Sequence, residues 1–355
     1  MKTVLLVFLH GFMGTDNTFD QFPRHLQNEL RTELGCVPGA TGAAGSRNGL
    51  VEVQSVVYPR YATSGELAAA VESFLSWLTN TVIDREVAKG TRSPVVDPSV
   101  AVVLVGHSMG GVVACDSLMA ATSASPAGPT VFPHILGVLC FDSPLLGLAP
   151  QVVAHGVLDR GVSKFNDLRG VAAGLPLGAV SSFLFAKGAS ETTGTRSADA
   201  NRARGRWKLA AGLGAAAAVA AVAGGALYAN RDKVAEHMDW IGGHLAFAGA
   251  LFEPRATLER RVAGASASAP VAVFYTSVAD STDVRKMLGR RTFCVVPDHG
   301  AQPRLGSWTE AANTRATDEI DAHVGMFNSG TNPGYGPLVG GARRTVLGWT
   351  TEFLK

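Results

Sequence analysis

Ser108 stands in Gly106-His107-Ser108-Met109-Gly110, a Gly-x-Ser-x-Gly pentapeptide with an apolar run before it and a helix-forming run after it. A serine hydroxyl becomes a nucleophile only when a base takes its proton, and its oxygen must stand clear of the backbone. The pattern meets the second need sterically. A serine on so tight a strand-to-helix turn takes a strained backbone conformation, so the residues flanking it must lack side chains. Gly106 and Gly110 supply this, and the chemistry on offer is nucleophilic attack from an elbow. The bland reading is an inert tight turn in some other parallel α/β protein. Gly111 has only a packing role, letting the helix lie close to the strand.

Attack on a carbonyl creates a negative oxygen that needs two N–H donors. One comes from the residue after the nucleophile and one from a loop at the end of a neighbouring strand. His10-Gly11-Phe12-Met13-Gly14 ends an apolar run over residues 3–9, so the expected donors are the backbone amides of Phe12 and Met109. The bland reading here is a glycine-rich turn.

These two motifs, with Phe141-Asp142-Ser143-Pro144-Leu145-Leu146-Gly147 after a further apolar run, resemble the α/β-hydrolase superfamily. The nearest likeness is to its lipase-like members, serine esterases of eukaryotes among them. It extends over residues 1 to about 150 and again over 269–355. The resemblance implies an α/β protein with a mostly parallel sheet flanked by helices and a helical lid or cap insertion. The activity it implies is cleavage of carboxylic esters through an acyl-enzyme, on lipid or other apolar esters, with no metal or cofactor.

In that fold the acid and then the histidine follow the serine. Two histidines qualify. His299 follows the run 291–296, which reads as the last strand, and His323 lies in Asp321-Ala322-His323, in the loop leading to a last helix expected at 337–353. The resemblance favours His323, because similar esterases carry an Asp-x-His segment there. Asp280 and Asp283 follow the expected strand 271–278, the commonest place for the acid in the superfamily, and Asp142 follows the strand after the nucleophile, which some lipases use. Asp142 could also simply cap the turn before Ser143-Pro144.

The elements that must hold these residues read as alternating strands and helices, which implies a parallel sheet with its site at the carboxyl ends of the strands. Residues 3–9, 53–58, 100–105 and 135–141 are strand-like runs. Phe19, Phe22, Leu26, Leu30 and Leu34 recur at helical spacing, as do Leu67, Val71, Phe74, Leu75, Leu78 and Val82 behind a capping-box pattern in Thr63-Ser64-Gly65-Glu66. The expected division is a core over 1–150, an insertion over 151–265 and the rest of the core over 266–355.

Within the insertion, residues 171–186 are mostly apolar, 209–229 are apolar without a charge, and Arg196, Arg202, Arg204, Arg206 and Lys208 lie between. About 20 apolar residues cross a bilayer, yet one crossing would put strands of a single sheet on opposite sides of it. A true span needs a second crossing, which 171–186 could supply only if tilted little; the other choices are an apolar hairpin dipping into one leaflet with the basic cluster at the headgroups, or a packed alanine- and glycine-rich helix inside the lid. His237 and His244, beyond that segment, lack partners at metal spacing.

The chain has 355 residues, 46% hydrophobic and 17% charged, with a formal net charge of +2. That length suits one large domain with an insertion, or two domains, and so balanced a charge offers no nucleic-acid footprint. Cys36, Cys115, Cys140 and Cys294 show no paired spacing and read as reduced thiols, which favours an intracellular protein, membrane-associated through 171–229 if at all. The apolar start reads as a first strand and not a signal peptide, being short and without a small-residue cleavage site. Two rival functions remain: a catalytically silent, membrane-attached scaffold on the same fold, and a soluble esterase or thioesterase for small esters.

Overall fold

The computed structural model describes residues 1–12, 14–36, 51–61, 63, 65–123, 131–149, 152, 249–278, 291–298, 300 and 304–355. The apolar runs at 171–186 and 209–229, the basic cluster between them, His237 and His244 lie outside these residues. Among the described residues no helix is long and apolar enough to cross a membrane.

The elements run β1 (Lys2–Leu9), α1 (Phe22–Glu33), β2 (Val51–Val57), α2 (Leu67–Ala88), β3 (Val100–His107), α3 (Met109–Ser123), β4 (Ile135–Phe141), α4 (Arg255–Ser268), β5 (Val271–Val278), β6 (Arg291–Thr292), β7 (Ser307–Ala312), α5 (Glu319–Val324) and α6 (Tyr335–Phe353). The strands form one sheet in the order β2-β1-β3-β4-β5, with β7 on β5. All those pairs are parallel, and only β6, on Ser277 and Val278 of β5, is antiparallel.

A parallel sheet must be covered on both faces, which is why its central strands are apolar at every position and not at alternate ones. β1 shows how the two faces are used. Leu5, Val7 and Leu9 pack with Phe74 and Leu78 of α2, Val112 and Cys115 of α3 and Leu258 and Val262 of α4. Val4, Leu6 and Phe8 pack the other way, with Phe22, Leu26 and Leu30 of α1 and Leu338 and Val346 of α6. At about 1.5–3 kcal/mol for each fully buried large apolar side chain, these two layers dominate the stability of the fold.

Polar anchors fix where the elements begin and end. Glu86 of α2, 2% exposed, accepts from the backbone amides of Ser99 at 3.0 Å and Val100 at 2.9 Å, so one carboxylate holds the start of β3. Arg343 of α6 reaches Glu33 of α1 at 2.6 Å and Glu29 at 3.2 Å.

Three sequence expectations meet a different local structure. The helix after residue 63 begins at Leu67, behind Gly65 at φ +88°, and its N-cap Glu66 makes no side-chain cap bond, so the capping-box spacing does not mark its start. The run 291–296 is not the last strand. Only its first two residues pair with β5, because the amide of Val295 donates to Gly147 (2.9 Å) and the carbonyl of Phe293 accepts from Ala149 (3.0 Å). The last strand is β7, whose sequence Ser-Trp-Thr-Glu-Ala-Ala buries only Trp308 and so carries little apolar signal. Finally, α6 starts at Tyr335, two positions ahead of Pro337.

Candidate active site

Ser108 joins β3 to α3 with φ +55°, in the left-handed region that a non-glycine residue seldom takes. Its amide donates to the carbonyl of Phe141 on β4 at 3.0 Å, which ties the turn to the neighbouring strand. The flanking glycines are required by contact. A Cβ on Gly106 would lie 2.4 Å from the backbone of Gly111, and one on Gly110 would lie 2.2 Å from the carbonyl oxygen of Leu9.

The loop after β1 lies against this turn. A Cβ on Gly11 would stand 2.5 Å from the Cβ of Ser108 and 3.1 Å from the amide nitrogen of Met109. Thus the peptide preceding Phe12 and the first amide of α3 share one small space. The N–H groups of a helix's first turn have no intrahelical partner. The loop is held from behind: the carbonyl of Gly11 accepts from the amide of Gly14 at 3.0 Å and has His10 Nδ1 at the same distance, and Tyr61 donates its hydroxyl to the carbonyl of His10 at 2.8 Å. Burial lowers the His10 pKa, so the neutral ring, with its proton on Nδ1, is the form that fits this contact.

At the end of β4 the chain turns through Asp142, at φ +46°, whose amide continues the ladder by donating to Phe274 of β5 at 2.7 Å. Its carboxylate is wholly buried. Oδ1 accepts from the amide of Thr276 at 2.8 Å and faces the Cys294 thiol at 3.8 Å. Oδ2 accepts from the Thr276 hydroxyl at 2.6 Å and lies 2.8 Å from His323 Nδ1. Burial, and the nearby Asp142 charge after it, push the Cys294 thiol well above its usual pKa, so sulfur remains a neutral donor.

His323 belongs to α5, a short helix and not the loop expected from sequence. Asp318 caps it by accepting from the amides of Ile320 at 3.0 Å and Asp321 at 2.8 Å. The imidazole of His323 has Phe293 stacked on it at 3.7 Å and 15°, and His107 at 4.5 Å and 26°. Two rings cannot share one face at those separations, so the imidazole is held between them. His107 is the residue before Ser108, and its Nε2 lies 3.3 Å from the carbonyl oxygen of His323. Full burial and then the neighbouring His323 press the His107 pKa well below the usual value, which leaves that ring neutral.

Of the residues singled out from sequence, the structure therefore brings Ser108, Met109, Phe12, Asp142 and His323 to the carboxyl ends of β1, β3 and β4. Asp280, Asp283 and His299 lie outside the described residues. Thr276, Phe293 and Cys294 were not anticipated. The signal for Thr276 was its place one strand over from Asp142, which only the register of β4 on β5 supplies.

The decisive observation is the order of parts: a strained serine between a central parallel strand and its helix, an acid after the next strand and a histidine after the last one, on a sheet ordered β2-β1-β3-β4-β5-β7. This is the α/β-hydrolase fold. No family model matches the chain, and no curated protein does. Solved structures with this fold do match. Phospholipase PlaB from Legionella pneumophila is 15% identical, over 44% of this chain and 29% of its own length, with a TM-score of 0.29. The RedJ thioesterase of the prodiginine pathway in Streptomyces coelicolor is 13% identical over 97% of this chain and 88% of its own, with a TM-score of 0.39. An extracellular α/β-hydrolase from a Paenibacillus species is 18% identical over 50% and 58%, with a TM-score of 0.25. At such identities and TM-scores, nothing of their chemistry transfers to this chain. Among the described residues no cluster of His, Cys, Asp or Glu could hold a metal ion.

Proposed function

We propose that this protein is a serine hydrolase of carboxylic esters, with Ser108 as nucleophile, His323 as base and Asp142 as acid. The observation that carries the reading is the 2.8 Å contact of His323 Nδ1 with Asp142 Oδ2 beside a serine at φ +55°. With Nδ1 donating to the carboxylate, the free lone pair of the imidazole is on Nε2, the form a general base requires. His323 takes the proton from Ser108 as its oxygen attacks the ester carbonyl. The amides of Phe12 and Met109 then face the oxygen on which charge develops, and each such donor is typically worth about 100- to 1000-fold in rate. The imidazolium returns its proton to the departing alcohol. Water, activated in the same way, then releases the acyl group.

The preference for apolar, lipid-like esters rests on sequence and on two exposed side chains. Phe12 and Val324, 38% and 67% exposed, flank the proposed oxyanion site and base. In this reading the insertion over 151–265 is the lid, and the apolar composition of its runs at 171–186 and 209–229 favours an apolar substrate or peripheral contact with a membrane through 171–229. The rest of the chain over 1–150 and 266–355 forms the catalytic core in this reading.

Fluorophosphonate labelling tests the chemistry. Wild type should be modified and Ser108→Ala should not; a wild-type protein that stays unlabelled and fails to cleave p-nitrophenyl butyrate overturns the proposal in favour of a silent scaffold. Rates on p-nitrophenyl esters of rising chain length, with and without phospholipid vesicles, test the substrate class. A preference for acetate that vesicles leave unchanged would identify a small-ester esterase instead.

A further inference from the structure

A six-residue helix is far too short to be stable by itself, yet α5 carries the imidazole that must meet Asp142. Its position is therefore decided by what grips it. The Asp318 cap and Asp321, which accepts from the Thr317 amide at 2.9 Å, are local contacts that make a helix but do not say where it sits. Glu319 is different. It lies one turn before His323 and so on the same face of α5, and its side chain is 6% exposed. The guanidinium of Arg291 grips it with a fork: Nε donates to Oε1 at 2.8 Å and Nη2 to Oε2 at 2.6 Å.

Arg291 is itself part of the sheet. It pairs with Val278, and Thr292 with Ser277, immediately beyond the Thr276 that holds Asp142. The same strand end thus fixes the carboxylate through Thr276 and the helix through Arg291. Two residues after Arg291, Phe293 stacks on the imidazole, and Cys294 faces the carboxylate.

We propose that Arg291 and Glu319 form a positioning pair that sets α5 against β5 so that His323 Nδ1 meets Asp142 Oδ2. A bidentate charge-assisted pair defines both distance and angle, which a single hydrogen bond or a lysine in place of Arg291 would not. The inference rests on the reading of His323 as base for its catalytic consequence, though not for its geometry.

The test uses Glu319→Gln, Arg291→Met and the double variant in the full chain, with two readouts. The first is the proton resonance of His323 Nδ1–H shared with Asp142, far downfield in the wild type. Both single variants should lose or broaden it while circular dichroism remains that of the wild type. The second is hydrolysis of p-nitrophenyl butyrate: kcat should fall about 10- to 100-fold with KM within about twofold, as for a misplaced base. The double variant should be no worse than the poorer single one, since the two side chains act as one unit. Retention of the resonance and of kcat in Glu319→Gln overturns the proposal, as does a rise in KM alone or a double variant whose losses multiply. Should Arg291→Met fail to fold, Glu319→Gln, which preserves shape but removes the charge and one of the two acceptors, decides the question by itself. If the wild type proves catalytically silent, the ester-hydrolase reading fails while the resonance still judges the positioning pair.

Discussion

A Cβ placed on Gly11 would stand 2.5 Å from the Cβ of Ser108. That approach joins the first glycine loop of the chain to the elbow in its middle. It is possible only because β1 and β3 are adjacent, with Leu9 opposite Gly106. Gly11→Ala is therefore expected to push the loop away from Ser108 and also from the carbonyl of His107, 2.9 Å from the same point. Since a displacement of about 1 Å can cost 100-fold in rate, fluorophosphonate labelling should slow by about that factor. Labelling at the wild-type rate would show that the loop carries no oxyanion donor.

Asp142→Asn keeps the shape of the carboxylate but presents an amide where His323 needs an acceptor. The Thr276 amide can still be satisfied by the remaining carbonyl oxygen, so the fold should persist. His323 would lose the partner that keeps its proton on Nδ1, and kcat on p-nitrophenyl butyrate should fall by about 10,000-fold. A fall of less than about tenfold would move the acid to another carboxylate.

Thr276→Val is nearly isosteric and deletes only the hydroxyl that donates to Asp142 Oδ2 at 2.6 Å. The buried carboxylate keeps its other three partners. Thermal or urea unfolding should show a loss of about 1–3 kcal/mol, accompanied by a smaller kcat and an unchanged KM. Wild-type stability would mean that the backbone amide alone suffices to hold the acid.

Acid should weaken the fold earlier than carboxylate titration alone would. Burial keeps His107, His10 and His134 below the ordinary imidazole value of 6.5, so the folded form holds these rings neutral. Below that value the unfolded chain binds protons that the folded chain refuses. Stability is thus complete above about pH 6.5 and declines as pH falls below it. His107, wholly buried, can contribute a slope of up to about 1.4 kcal/mol per pH unit. Melting temperatures measured between about pH 8 and pH 5 should show this decline, and His107→Asn should flatten it. A flat profile in the wild type would contradict the neutral-ring description.

The two motifs that the elbow and the first loop contribute were legible in sequence because each sits directly after an apolar strand run. Only Gly106 is a glycine for a local reason, its contact with Gly111; Gly110 and Gly11 are held to glycine by contacts between the ends of β1 and β3, with Leu9 and with Ser108. The strands β1, β3, β4 and β5 were legible for a related reason: burial on both faces demands an unbroken apolar run. The edge strand β7 was not, since Trp308 is the one position it buries, and α5 was not, since so short a helix has no periodicity to read. The capping pattern at residue 63 misled because spacing alone does not say where the backbone turns, and Gly65 turns it later.

Sequence by itself determined that a serine sits on an elbow, that a glycine loop precedes it, and that His323 and a handful of aspartates follow in a workable order. Only the tertiary structure decided that Asp142 meets His323, because that contact spans 181 residues and depends on how β4 registers on β5 and how α5 is seated. Local sequence specifies conformation over a few residues, whereas a hydrogen bond between distant side chains exists only once the sheet has fixed both backbones.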